Sequence, residues 1–143
     1  MRGKSRVLQF VDTNVLVYAH DCSAGEKYQR ARSLLESLWK SGMGCLSLQV
    51  LQEFYVTVTQ KVPKPIPPDE AIRIVLALSR WQVHTPGSSD LIRAVEVQRL
   101  YRLSFWDAMV LTSAEALGCE ILWSEDFNPN QPYGGVRVIN PFR

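Results

Sequence analysis

The sequence predicts an α/β fold, a three-layer α/β/α sandwich around a mostly parallel central sheet of about five strands. Three observations carry that expectation. The candidate strands are short, apolar and β-rich, as strands covered on both faces are. They are separated by segments of helical spacing, which implies right-handed crossovers between parallel neighbours. Several of those helices also open on Asp or Ser, residues that cap helix N-termini.

Residues 7–11 form the first such strand, and Asp12-Thr13-Asn14 is a helix-start signal ahead of residues 15–20. Residues 26–40 place Tyr28, Ala31, Leu34, Leu35, Leu38 and Trp39 at helical spacing, and Ser41-Gly42-Met43-Gly44 stops that helix. A second strand at 45–47 leads into a helix over 48–61 with Val50, Leu51, Phe54 and Val58 on one face. The stretch VPKPIPP, residues 62–68, is a stiff connector, because proline lacks the amide donor and fixes φ. Residues 69–79 are helical, 81–84 a short strand, and Ser88-Ser89-Asp90 opens a helix over 88–101. A further helix runs from Ser104 to Gly118. Residues 120–123 are strand, 124–135 a polar loop rich in Asn, Pro and Gly, and 136–139 a last strand.

At 143 residues the chain fits one domain, residues 1–143, able to bury roughly two-thirds of its unfolded surface. Apolar residues at 46% and charged residues at 21% argue against disorder, a collagen-like chain or a disulfide framework. No apolar stretch reaches the ~18 residues of a bilayer crossing, and MRGKSRVLQF is too short and polar for a secretory signal. A soluble, cytoplasmic protein with no membrane contact is therefore expected. Cys22, Cys45 and Cys119 are widely spaced with no CxxC, as idle thiols in a reducing compartment would be, and His20 and His84 have no partner at ligand spacing. The net charge of +2 does not by itself announce a nucleic-acid binder.

Ligands of such sheets sit beyond the carboxyl ends of the strands, which gives weight to acids placed there. Asp12 follows the first strand, and its ordinary role would be an N-cap. Asp126 follows a later strand in WSEDFN, where a turn carboxylate is unremarkable. Asp107, in LSFWDAMVL, stands three residues after Ser104 as in a capping box, yet its neighbours are nearly all apolar. A carboxylate so surrounded needs a partner. Glu53, in SLQVLQEFYVTV, has the same character.

Four like charges sharing one pocket are stable only if protons or a cation neutralise them. Carboxylates without histidine or thiolate favour Mg²⁺ or Mn²⁺ over zinc. Such an ion activates water and stabilises a phosphoryl oxygen, so metal-dependent phosphodiester hydrolysis suits the site. Setting these four acids aside leaves 10 acidic against 16 basic residues, a better host for phosphate. Arg2, Lys4 and Arg6, or Arg99 and Arg102, are the candidate backbone contacts.

Together these motifs resemble a known family. VDTNVLVYA, LQEFY, FWDAMVL and LWSEDF, in that order, look like the four acidic motifs of PIN-domain ribonucleases, specifically the VapC-type toxins of type II toxin–antitoxin systems, and the tail YGGVRVINPF is similar too. The resemblance implies a PIN-like α/β/α domain that cleaves RNA with Mg²⁺ or Mn²⁺. It places Asp12, Glu53, Asp107 and Asp126 at the catalytic positions, Asp12 and Asp107 as direct metal ligands, and Asn14 and Ser124 as the polar residues that orient them. Glu125 adjoins Asp126, and either could face the metal. A homodimer and a cognate antitoxin seated over the site are also implied, with Trp39, Phe54 and Tyr55 as possible groove residues, although core packing is the ordinary role of each.

Other functions compete. The same acids would serve a nuclease of DNA or of precursor ribosomal RNA ends. A receiver-like phosphotransfer module also gathers carboxylates at strand ends, but DTN replaces the adjoining acids and no lysine follows the last strand as expected. A haloacid-dehalogenase phosphatase would want an Asp where Asn14 stands, and a dinucleotide binder would need GxGxxG. A non-catalytic interaction module would require that the acids had lost their metal.

Overall fold

In the computed structural model, which describes residues 6–143, every predicted strand forms, but each is very short. The order is β1 (Gln9–Val11), α1 (Thr13–Tyr18), α2 (Glu26–Ser41), β2 (Gly44–Ser47), α3 (Leu48–Gln60), α4 (Pro68–Leu78), β3 (Gln82–His84), α5 (Ser88–Tyr101), α6 (Phe105–Ala116), β4 (Ile121–Trp123) and β5 (Arg137–Ile139). β1 begins at Gln9 rather than residue 7 because the register pairs Gln9 with Gly44 and with Ile121, so the ladder to both neighbours opens there. Register, more than β-propensity, sets the strand ends. Cys22–Ala24 forms a single 3₁₀ turn that periodicity does not foretell; the Asp21 carboxylate caps it by accepting from the Ser23 amide at 3.0 Å.

All neighbouring strands run parallel, in the order β3-β2-β1-β4-β5. This is not the 2-1-3-4-5 order of receiver-like folds. α1 packs on α2 and α3, and α3 on α4; α5 packs on α6, which touches β2 and β4. Right-handed crossovers that step one way from β1 to β3 and back the other way to β4 place these two groups on opposite faces of the sheet. The chain reverses direction on either side of β1, so the crevice beyond the β1 and β4 ends is the switch point at which such sheets bind ligands.

Phe10, Val11, Leu46 and Leu122 form the buried middle layer, with Val15, Leu16 and Phe54 over one face and Ala108, Leu111 and Ala114 over the other. Each of the larger side chains contributes about 1.5–3 kcal/mol by leaving water. α6 is buried at every residue from Ala108 to Ala114, so between its first and last turns no face meets solvent. The predicted loop over 124–135 is anchored from within: Tyr133 is fully buried, packs edge-on against Tyr101 and Phe127, and donates its hydroxyl to the Asn128 carbonyl at 3.0 Å.

Gly44 admits no side chain, since a Cβ there would overlap the Trp81 ring, itself packed edge-on against Trp39. Gly44→Ala will lower stability by about 1–3 kcal/mol, the usual cost of overpacking, read as a lower urea midpoint at unchanged m-value. An unchanged midpoint would show that this strand and Trp81 are not in tight contact.

Candidate metal centre

Asp12 is the first residue after β1, and its amide donates to the Trp123 carbonyl at 3.0 Å, closing the β1–β4 ladder directly beneath its side chain. That ladder pairs Val11 with Trp123, so the residues that follow, Asp12 and Ser124, stand side by side. The Ser124 hydroxyl donates to Asp12 Oδ2 at 2.7 Å, while Oδ1 accepts from the Thr13 amide at 2.7 Å and caps α1. Capping and clustering are thus compatible, one oxygen serving each. Asn14, in the first turn of α1, turns its Nδ2 toward Asp12 Oδ2 at 3.4 Å, Ser124 Oγ at 3.3 Å and Asp126 Oδ2 at 3.0 Å. A single amide therefore spans both strand ends.

Asp107 reaches the same place from the first turn of α6, whose N-cap Ser104 accepts from the Asp107 amide at 3.1 Å. One carboxylate oxygen from each of Asp12, Asp107 and Asp126 lies within 4.8 Å of the others. Glu53 is not in that group. It is held beside it, accepting from Thr13 Oγ1 at 2.7 Å and Gln49 Nε2 at 3.4 Å, and its charge is felt at Asp107. Of the two acids in WSEDFN it is Asp126 that joins the cluster, whereas Glu125 pairs with Lys27 at 2.8 Å and accepts from Tyr18.

Burial decides the electrostatics. Asp12 is 4% exposed, and desolvation pushes its carboxyl up to about 7, despite hydrogen bonds from Ser124 and Thr13 that favour the anion; Asp107 and Asp126 add repulsion. Asp107, half-buried, is raised by the same desolvation and then by Asp126 and Glu53. Among the described residues, no lysine, arginine or histidine forms an ion pair with Asp12, Asp107 or Asp126. An all-oxygen, cation-poor cluster of this kind fits a hard divalent ion such as Mg²⁺ or Mn²⁺.

The remaining polar residues behave structurally. His84 bonds to Ser113 Oγ at 2.8 Å and lies 3.5 Å from Asp90, a serine–histidine–aspartate order, but Ser113 is only 1% exposed and no substrate reaches it. His20 bonds to the Leu16 carbonyl and packs on Phe54, which is core and lines no groove. Cys45 and Cys119 are buried free thiols and Cys22 is an exposed one. Sequence reading missed Thr13 and Gln49, the two groups that hold Glu53. Thr13 lies inside the DTN signal, but its bond to Glu53 spans 40 positions and leaves no local trace.

The comparisons with known proteins bear on the family and the fold. A family model described as the PIN domain matches residues 10–133. No curated protein matches the chain. Among solved structures, a toxin–antitoxin complex from Klebsiella pneumoniae is 22% identical, with a TM-score of 0.70 over 93% of this chain and 97% of that one. VapBC2 from Rickettsia felis, bound to a fragment of its promoter DNA, is 18% identical with a TM-score of 0.65, covering 94% and 98%. VapC20 from Mycobacterium tuberculosis, a toxin that cleaves the sarcin–ricin loop, is 17% identical with a TM-score of 0.61, covering 85% and 91%. At these identities the likeness is one of fold.

The Asp12 carboxyl has an ordinary value near 3.9 when the chain unfolds, and about 7 when folded. The folded state thus binds this proton more tightly, so the Asp12 contribution to stability is full below about pH 4 and is lost as pH rises through about 7. In EDTA the Tm will fall over that window, and Asp12→Asn will flatten the fall and raise the Tm at pH 8 by on the order of 5 °C. Calorimetry across pH checks this; a variant less stable than wild type at pH 8 would contradict it.

Proposed function

The chain belongs to the PIN-domain family, and we propose that it is a metal-dependent nuclease that hydrolyses RNA phosphodiester bonds as the toxin of a toxin–antitoxin pair. One observation carries this reading: three carboxylates meet within 4.8 Å at the switch point of a parallel sheet, one of them almost out of water, with no cationic side chain paired to them among the described residues. Asp12 and Asp107 would hold Mg²⁺ or Mn²⁺, with Asp126 completing the acidic wall. The bound ion supplies a lowered water pKa and charge at the phosphoryl oxygen.

The protein's own part is orientation and proton handling. Ser124 and Asn14 hold the carboxylates of Asp12 and Asp126 in one rotamer each, as outer partners of a metal site do. Glu53 has Oε1 occupied by Thr13, and among the described residues its Oε2 meets only the long contact from Gln49, so Oε2 can accept a proton from an attacking water. Arg99 and Arg102 are exposed at the end of α5, close in sequence to α6, and suit backbone phosphate. Arg6 is also exposed; Arg2 and Lys4 lie outside the described residues.

The partner reading has separate support. A cavity of about 210 Å³ lined by Leu35, Trp39, Ile74 and Leu78, with Arg32 and Glu36 among its residues and none of the four acids, suits apolar anchors of an antitoxin outside the acidic cluster. Homodimer formation, a cytoplasmic location and a single-domain chain belong to the same proposal. Among the described residues no helix is long and apolar enough to cross a membrane.

Asp107→Asn will keep the fold and lose Mg²⁺-dependent RNA cleavage by more than about a hundredfold. Matched RNA and DNA oligonucleotides read the substrate class. A folded variant with full activity would overturn the proposal, and cleavage confined to DNA would replace RNA in it.

A further inference from the structure

Glu125 stands next to Asp126 yet points into a different set of contacts. Its Oε1 meets Lys27 Nζ at 2.8 Å and its Oε2 accepts from the Tyr18 hydroxyl at 2.9 Å, and that hydroxyl in turn accepts from Lys27 at 3.4 Å. The Lys27 ammonium lies 4.8 Å from the centre of the Tyr18 ring and 5.4 Å from that of Phe142, two rings packed edge-on at 5.2 Å. Lysine in the first turn of a helix opposes the helix dipole, so the start of α2 is a poor place for this residue on local grounds. Its position is accounted for by what it holds.

What it holds is the turn that carries Asp126. That carboxylate is exposed, is repelled by Asp12 and Asp107, and among the described residues accepts from a single protein donor, Asn14. That one bond is its side chain's tie to the cluster, and it must work against the repulsion. The turn is fixed upstream where the Ser124 amide donates to the Ile139 carbonyl, and downstream where Phe127 is buried against Tyr133. Between those anchors, the Glu125 amide reaches Asn14 Oδ1 at 3.4 Å, and the Glu125 side chain is tied to α1 and α2.

We propose that Lys27, acting with Tyr18 through Glu125, is a positioning residue for Asp126. The latch joins the end of α1 and the start of α2 to the turn after β4. By fixing the backbone on one side of Asp126, it keeps that carboxylate facing Asp12 and Asp107 against their repulsion. This inference rests on the metal-dependent reading above, since it gives Asp126 a cation to face.

The test is Mn²⁺ affinity measured by calorimetry on the full chain at pH 7.5, with circular dichroism to establish folding. Lys27→Met and Glu125→Gln are each expected to weaken binding about tenfold, and the double variant to lose no more than either, because all three break one link. Lys27→Arg should keep wild-type affinity, since it restores the cation and its ion pair. Unchanged or tighter binding in folded Lys27→Met, or losses that multiply to about a hundredfold in the double variant, would overturn the positioning role and leave the nuclease reading intact. A wild-type chain that binds no Mn²⁺ would instead overturn the metal-dependent reading, and this inference with it.

Discussion

Desolvation of Asp12 is the constraint from which the arrangement of its neighbours follows. The β1–β4 ladder closes beneath the residue, so its side chain cannot withdraw into solvent without breaking the hydrogen bond of its amide to Trp123. Held there, it is too buried to ionise freely and too well bonded to move. Ser124, Thr13 and Asn14 each give it a donor, which lowers the cost of charge without cancelling it. The folded protein carries a deficit at this point, of the kind that binding sites keep and cores do not.

The same constraint explains the division of labour among the acids. Asp12 and Asp107 arrive on rigid supports, a strand end and a helix start, and take the greater burial. Asp126 arrives on a turn and stays exposed. Glu53 keeps its distance because Thr13 and Gln49 satisfy it before it reaches the cluster. The acids are therefore graded in burial, which lets a site of this charge exist in the folded chain at all.

Much of this was legible in the sequence. Alternating strand and helix patterns identified every labelled element, because period and capping are local properties; α5 in particular follows the predicted 88–101. Asp12, Asp107 and Asp126 were recognisable as acids following strands or opening a helix. Strand length was not, because Gln9 is the first residue with ladder partners on both sides and those partners are dozens of positions away. Nor was the choice between Glu125 and Asp126, which is made by Lys27 and Tyr18. Phe54, open in the sequence to a groove or a core role with core the ordinary one, is core; an amphipathic pattern shows which face is apolar, not what covers it.

α6 has a consequence for how this chain tolerates change. Asp107 is mounted at the solvent end of a helix whose next seven residues are all buried. The orientation of that carboxylate is therefore inherited largely from close packing throughout the middle of the molecule, with a local tie to the N-cap Ser104 that moves with the same helix. A conservative change deep in the core, far from any acid, would misalign the cluster long before it unfolded the protein. In this architecture the interior serves as the alignment fixture of the surface, and drift in one is recorded in the other.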